Sequence, residues 1–298
     1  MKQIILVTGS HRSGTTWVGR VIASAKKIKY VHEPFNIGVG RKFSPFSYWF
    51  QYVSNSTPEN AKLEVKQYLD WFCSTSLKVQ FYYLTKIGQV GGLRTFLGNW
   101  KSKLLSKAIL LKDPIAVMSI PWMSTTYNAK VVFMVRHPAA FVASLKVKHW
   151  TFDFNNFLEQ EGLMKEQLNS YTKEIEKFVN EPQDIIQQGV LLWNIIHSQL
   201  LKYQEQDHPL WYFVKHEDVS RNPLCVFEAL FDFLDLEFST QVITNIEDTS
   251  KASETGYLHR DSKDNISSWK QRLTSEEIKT IKEGTQAVWP AFYNETDW

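Results

Sequence analysis

Cysteine is scarce in this chain: two in 298 residues, Cys73 and Cys225, far apart and in no metal-ligand spacing. That argues against a disulfide framework and a thiolate metal site, and it predicts two buried free thiols in a reducing compartment. No apolar run approaches the ~20 residues needed to span a bilayer. The first apolar run begins within a few residues of Met1, so no signal or transit peptide is expected. The expected location is the cytoplasm. An excess of either charge is also missing: 34 basic and 31 acidic residues leave +3. Alone, that is too little to argue for binding to nucleic acid or a membrane surface. There is no internal repeat and no low-complexity tract.

What is present is a large apolar fraction, 43%, and a high aromatic content, 14%. The rings concentrate in Phe43–Tyr52 and Tyr68–Tyr83, where they suit either helical core packing or a ring-lined substrate pocket. Short apolar runs predict strands at Gln3–Thr8, Ile28–His32, Ala108–Lys112, Lys130–Val135 and Leu210–Lys215. Helices are predicted at Thr15–Ala25, Pro58–Thr85, Pro138–Lys148, Pro182–Gln206, Pro223–Asp235 and Ser275–Glu283. Proline opens several of them, where its missing N–H is harmless. Thr274 and Glu277 have the spacing of a capping box. The alternation predicts an α/β fold: one domain over 1–298, a parallel sheet with a phosphate-type loop and helices on both faces. Residues 35–107 would form a helical lid or acceptor-binding insertion. Thr240–Asp264 is polar and reads as a long surface loop, and residues 240–270 would cover a cofactor.

The most informative stretch is Val7-Thr8-Gly9-Ser10-His11-Arg12-Ser13-Gly14-Thr15-Thr16-Trp17. It joins an apolar strand to a helix start, so backbone N–H groups and the positive helix end would converge on one anion. Gly9 and Gly14 have the spacing of a phosphate-cradling loop. The residue after Gly14 is Thr15, where a nucleoside-triphosphate loop carries lysine, and the one fixed charge inside is Arg12. A kinase or nucleotidase would also need a metal-binding Asp after a strand. Strand four ends instead in Arg136-His137-Pro138. Ligands in open parallel sheets sit at the carboxyl ends of the strands. The other three strands end in His32-Glu33-Pro34-Phe35, Lys112-Asp113-Pro114 and Lys215-His216-Glu217-Asp218. Charge after every strand favours a polyanion site with acid–base groups.

These residues resemble the sulfotransferases that use 3′-phosphoadenosine 5′-phosphosulfate (PAPS). His11-Arg12-Ser13-Gly14-Thr15-Thr16-Trp17 resembles their 5′-phosphosulfate loop, with Arg where cytosolic members have Lys, as in carbohydrate and tyrosylprotein members. Val131 through Pro138, with Ser144, resembles the 3′-phosphate motif. Trp211–Asp218 resembles the strand and helix after it. Arg260 through Ser268-Trp269-Lys270 loosely resembles the cofactor-covering loop, without its glycines and with longer spacing.

The resemblance implies sulfuryl transfer from PAPS to a hydroxyl by in-line displacement. No metal is required, and a P-loop kinase or non-catalytic nucleotide-binding protein is the alternative. Implied cofactor contacts are Ser10, His11, Arg12, Ser13, Gly14, Thr15, Thr16, Arg136, Ser144, His216, Arg260, Trp269 and Lys270. Trp17 would pack beneath the loop or wall the adenosine. Arg12 would stabilise charge on the departing phosphate. Glu33 is the expected base, as in carbohydrate and tyrosylprotein members, with helix capping or a salt bridge as its structural reading. His32 and His149 are fallback bases. Lys112 would touch the sulfate or acceptor, or pair with Asp113 or Glu33. His137 reads as a turn residue. A small-molecule, carbohydrate or lipid acceptor is expected, and no nucleic acid.

Overall fold

The structure, a computed structural model, describes residues 2–181, 183–250 and 264–298. Among them five strands form one parallel sheet: β1 (Gln3–Gly9), β2 (Ile28–His32), β3 (Ala108–Lys112), β4 (Lys130–Val135) and β5 (Trp211–Lys215), in the order β2-β3-β1-β4-β5. Alternation along each strand divides its apolar side chains between two cores. Ile4, Leu6, Ile109, Leu111, Val131 and Phe133 enter the larger one. Ile5, Val7, Leu110, Val132, Met134 and Val214 enter the other. A strand buried on both faces must be apolar at nearly every position, which is why these runs were readable.

The chain leaves β1 through α1 (Thr15–Ala23) for the edge strand β2. It then runs through α2 (Glu59–Cys73), α3 (Leu77–Thr85) and α4 (Gly92–Leu105) before returning as β3, between β2 and β1. After α5 (Ile120–Tyr127), β4 lies on the opposite side of β1. The direction of winding thus reverses at β1, and such a reversal opens a crevice at the carboxyl edge. The register keeps that edge level: Lys112 pairs with both Val7 and His32, and Gly9 with Met134. From β4 the chain enters α6 (Pro138–Lys148), which packs with the helix Ile185–Gln204 over the larger core.

Several sequence expectations need correction. The helix expected over Pro58–Thr85 is two, because Ser74 turns extended and its hydroxyl accepts the Ser76 N–H at 3.1 Å. Phe43–Phe50 is irregular chain, not helix, although Phe46 and Phe50 are buried. The polar stretch from Thr240 begins with a helix, Thr240–Ser250; Val242 and Ile246, one turn apart, bury in the smaller core. Residues 251–263 lie outside the described ones. Cys73 is a buried free thiol, but Cys225 is exposed. The capping box forms: Thr274 Oγ1 accepts from Glu277 N, and the Glu277 carboxylate accepts from Thr274 N.

Candidate functional site

Between β1 and α1 the backbone takes left-handed conformations at Arg12 (φ 64°) and Gly14 (φ 87°). A side chain at Gly9 would collide with the Met134 carbonyl on β4. A Cβ on Gly14 would lie 2.6 Å from His216 Nδ1. Both glycines are therefore fixed by neighbours as well as by conformation. Gly14 is the N-cap of α1 and brings no capping side chain, so the first-turn amides keep their hydrogen-bonding capacity for another acceptor. The Ser13 hydroxyl donates to the Ser10 carbonyl within the loop. Thr15 is buried, and Thr16 is half-buried.

Arg12 is the centre of the constellation. Its Nε donates to Ser144 Oγ on α6 at 2.8 Å. Its guanidinium lies over Trp150, 5.5 Å from the ring centroid. Arg136, from the end of β4, donates from Nη1 to the Arg12 carbonyl. The two motifs, over 120 residues apart, thus meet at one point. Burial pushes the Arg136 pKa down to about 10, so it stays cationic at neutral pH. Buried polar atoms without partners collect here: Thr8 Oγ1, Ser10 Oγ, His11 Nδ1, Arg136 Nε and both ring nitrogens of His216. Such groups ordinarily find a hydrogen bond. Together with the Gly14 cradle, they fit a polyanionic ligand with polar edges.

A second group gathers on the ends of β2 and β3. Lys112 is fully buried, and its ammonium is ion-paired with Glu33 Oε1. Of the two partners open in the sequence for Lys112, this is the one it takes. Glu33 Oε2 accepts from Asn36 Nδ2 at 2.6 Å, and the Glu33 carbonyl accepts from Arg41 Nη1 at 2.8 Å. Burial works to raise the Glu33 pKa, but the hydrogen bond and charge of Lys112, with Asn36, outweigh it and hold the carboxyl below its ordinary value. Its left-handed backbone, φ 44°, is uncommon for a glutamate. Asp113 stands directly after β3, where the Lys112-Asp113-Pro114 run places it. Both of its oxygens are engaged by backbone amides, from Phe35 at 2.5 Å and Ile115 at 3.2 Å. It thus shapes the turn that presents Glu33. Among the described residues no three His, Cys, Asp or Glu side chains gather as a metal-binding set.

The remaining candidates are more peripheral. Trp17 packs edge-on against Phe227 at 5.5 Å and donates from Nε1 to Thr249 Oγ1 at 3.0 Å, so it braces α1 from below. His11 sits among the rings of Phe50, Phe141 and Trp150, and burial holds its pKa down to about 4. His137 caps α6, and Trp269 stacks on it at 5.1 Å. Lys270 is exposed and donates to the Trp298 carbonyl at 2.7 Å. His32 is exposed, with Nε2 3.9 Å from Glu33 Oε2, and His149 is an exposed C-cap of α6. Arg260 lies outside the described residues.

Sequence reasoning missed Asn36, Arg41 and Trp150, which hold Glu33 and Arg12. It also missed that Glu217 serves structure: it accepts from the His137 N–H at 3.1 Å and the Tyr293 hydroxyl at 2.9 Å. Only Asn36, three residues beyond Glu33, had a local signal.

Sheet, loop and strand ends together define an α/β protein with a glycine-bounded loop at a helix N-terminus and a basic carboxyl edge. Residues 4–240 match the Sulfotransferase family, and the chain belongs to that family. Sulfuryl transfer is the class of function that this membership supports. A search of curated proteins found no significant match. Among solved structures, the chain is similar to the sulfotransferase domain from the curacin biosynthetic pathway (16% identity, 96% of this chain and 98% of that one, TM-score 0.49). A sulfotransferase from Mycobacterium avium is similar at 12% identity over 99% of this chain and 78% of that one, TM-score 0.47. A mouse sulfotransferase complexed with PAP is similar at 12% identity over 99% and 86%, TM-score 0.46.

Proposed function

We propose that this chain transfers the sulfuryl group of PAPS to an acceptor hydroxyl by in-line displacement, with Glu33 as base. The observation that carries the reading is the junction of Arg12, Ser144 and Arg136 beside a loop of unpartnered polar atoms. The loop amides, Arg12, Thr15 and Thr16 would hold the 5′-phosphosulfate, and Arg136 with Ser144 the 3′-phosphate; His216 faces the same loop. When bound, the donor supplies an activated sulfuryl group on a phosphate leaving group. Arg12 then balances the charge that builds on the departing phosphate oxygen, a task suited to a guanidinium fork. Glu33 takes the hydroxyl proton as the new S–O bond forms and the old one breaks. It is ionised at neutral pH, so it is already in the state a base requires. Lys112 neutralises that carboxylate and stands ready for the sulfuryl oxygens or the acceptor.

Phe35 stacks on Phe46 at 4.3 Å, and Phe46 meets Tyr68 edge-on at 5.3 Å. These rings begin two residues from Glu33, which supports the 35–107 insertion as the acceptor wall of a single sulfotransferase domain. The arginine in the loop and the glutamate base favour a carbohydrate or glycolipid hydroxyl, by likeness to those family branches.

Adenosine 3′,5′-bisphosphate should raise the melting temperature without magnesium, and labelled sulfate should pass from PAPS to a member of an acceptor panel. Arg12→Ala should lower kcat by roughly 10²- to 10³-fold. A melting response confined to ATP with magnesium would overturn the proposal.

A further inference from the structure

The small net charge of the whole chain hides a segregation. Between Asp70 and Asp113 there is no acidic residue, yet seven lysines and arginines fall there. Two point inward: Lys103 donates to the Trp71 carbonyl at 2.9 Å, and Lys112 pairs with Glu33. Lys78, Arg94, Lys101 and Lys107 are exposed, and Lys86 is half-buried.

The same stretch is apolar on its outside. Leu77, Phe81 and Leu84 recur at i, i+4 and i+7 on α3, and Phe81 is 65% exposed. Leu93, Leu97 and Leu104 run along one side of α4, with Leu105 beside them at 63% exposure. Of twelve large apolar side chains exposed among the described residues, these are seven, so the apolar surface is concentrated here. The inner faces are already satisfied: Tyr83 of α3 and Phe96 of α4 both pack on Trp71, at 4.8 and 6.1 Å. The outer stripes therefore have no core of their own to enter.

We propose that α3 and α4 dock the protein on an anionic lipid surface. The leucines and Phe81 enter the boundary between headgroups and acyl chains, and the flanking cations meet lipid phosphates. Stripes of bulky apolar residues on helices whose own charged residues are all cations are the composition that such an interface selects. A second copy of this chain is a poor occupant, because two-fold pairing would set this cationic surface against itself. The side chains project outward, and neither of two cavities, of about 330 and 290 Å³, is lined by α3 or α4. The surface thus offers projections rather than the cleft that an inserted peptide would fill.

The test is co-sedimentation of the full chain with vesicles of phosphatidylcholine alone or with about one third phosphatidylglycerol. The bound fraction should be at least about fivefold higher on the anionic vesicles and should fall between about 0.1 and 1 M salt. Phe81→Ser with Leu97→Ser, and separately Arg94→Glu with Lys101→Glu, should each lower binding by roughly tenfold. Both pairs should retain the melting response to adenosine 3′,5′-bisphosphate, which shows that they fold. Equal binding to both vesicle types, or parental binding by either folded variant, overturns the proposal. So does failure to bind vesicles by a protein that binds polyglutamate, or by one whose lipid-free dimer the Phe81→Ser/Leu97→Ser pair dissolves.

Discussion

Among the partners of Glu33, Lys112 does most to lower its pKa, by hydrogen bond and by charge, with Asn36 adding to it. Asn36 and Arg41 fix its geometry, the first at the carboxylate and the second at the backbone. Glu33→Gln keeps the shape and removes the basicity. It should reduce turnover to background and leave affinity for adenosine 3′,5′-bisphosphate within about twofold, read by single-turnover sulfate transfer and calorimetry. Lys112 keeps the Glu33 pKa depressed, so the acid limb of the rate profile should lie below the ordinary carboxylate range of about 4.3. Lys112→Met removes the ammonium, and the limb should move to higher pH; a stationary limb in that variant excludes Glu33 as the titrating group. Arg12 and Glu33 could both be placed at the carboxyl edge from the sequence, because each directly follows an apolar strand, but β3 lies between their strands, which the sequence did not show. Asn36 and Arg41 were not assigned, since their roles depend on how the Pro34–Arg41 turn folds back on Glu33.

At the scale of elements, the loop and the helix after β5 are locked together by Gly14 and His216. Gly14→Ala asks a residue with a Cβ to adopt φ 87° and drives it into the imidazole. The left-handed backbone alone costs about 1–2 kcal/mol. The variant should melt several degrees lower and bind the bisphosphate at least about tenfold more weakly. Adding His216→Ala opens the space and should recover part of the stability but not the backbone term. Equal stability of the single and double variants would show that the contact with His216 is not limiting. The strands were readable because each is apolar through two cores. α4 was not, because its leucines face outward and scramble the periodicity of a helix packed on a core. The helix Thr240–Ser250 escaped for the opposite reason: two buried residues, Val242 and Ile246, are a thin signal in a polar stretch.

Over the whole molecule, acid stability follows from neutral histidines inside. Burial depresses His137, His197 and His216 to a pKa of about 3 each. In the unfolded chain they titrate near 6.5. Between those values the unfolded state binds more protons, so stability is complete above about 6.5 and declines steadily towards 3. The melting temperature should therefore drop between pH 7 and pH 5. His197→Phe, a ring that can occupy the stack on Trp193, should remove about one quarter of the histidine contribution to that drop, which His11, held at about 4, also shares. Asp113 acts the other way: burial raises it to about 7, so its ionisation opposes stability as pH rises past the ordinary carboxylate range. A shallow maximum near neutrality is the expected sum, measured by calorimetry across pH. His137, His216 and Asp113 were visible as strand-end residues, but their burial was not, because it depends on distant elements closing over them.

Trp298 bears on how the anion site responds to mechanical load. It packs on His137 at 4.5 Å and receives Lys270 at its carbonyl, so it braces the turn after β4 that carries Arg136. The amino end of β1, by contrast, lies at the opposite edge of the sheet. A surface tether attached near Gln3 leaves the anion loop open. The same tether attached at Trp298 would pull on the Arg136 turn and bias any measured donor affinity.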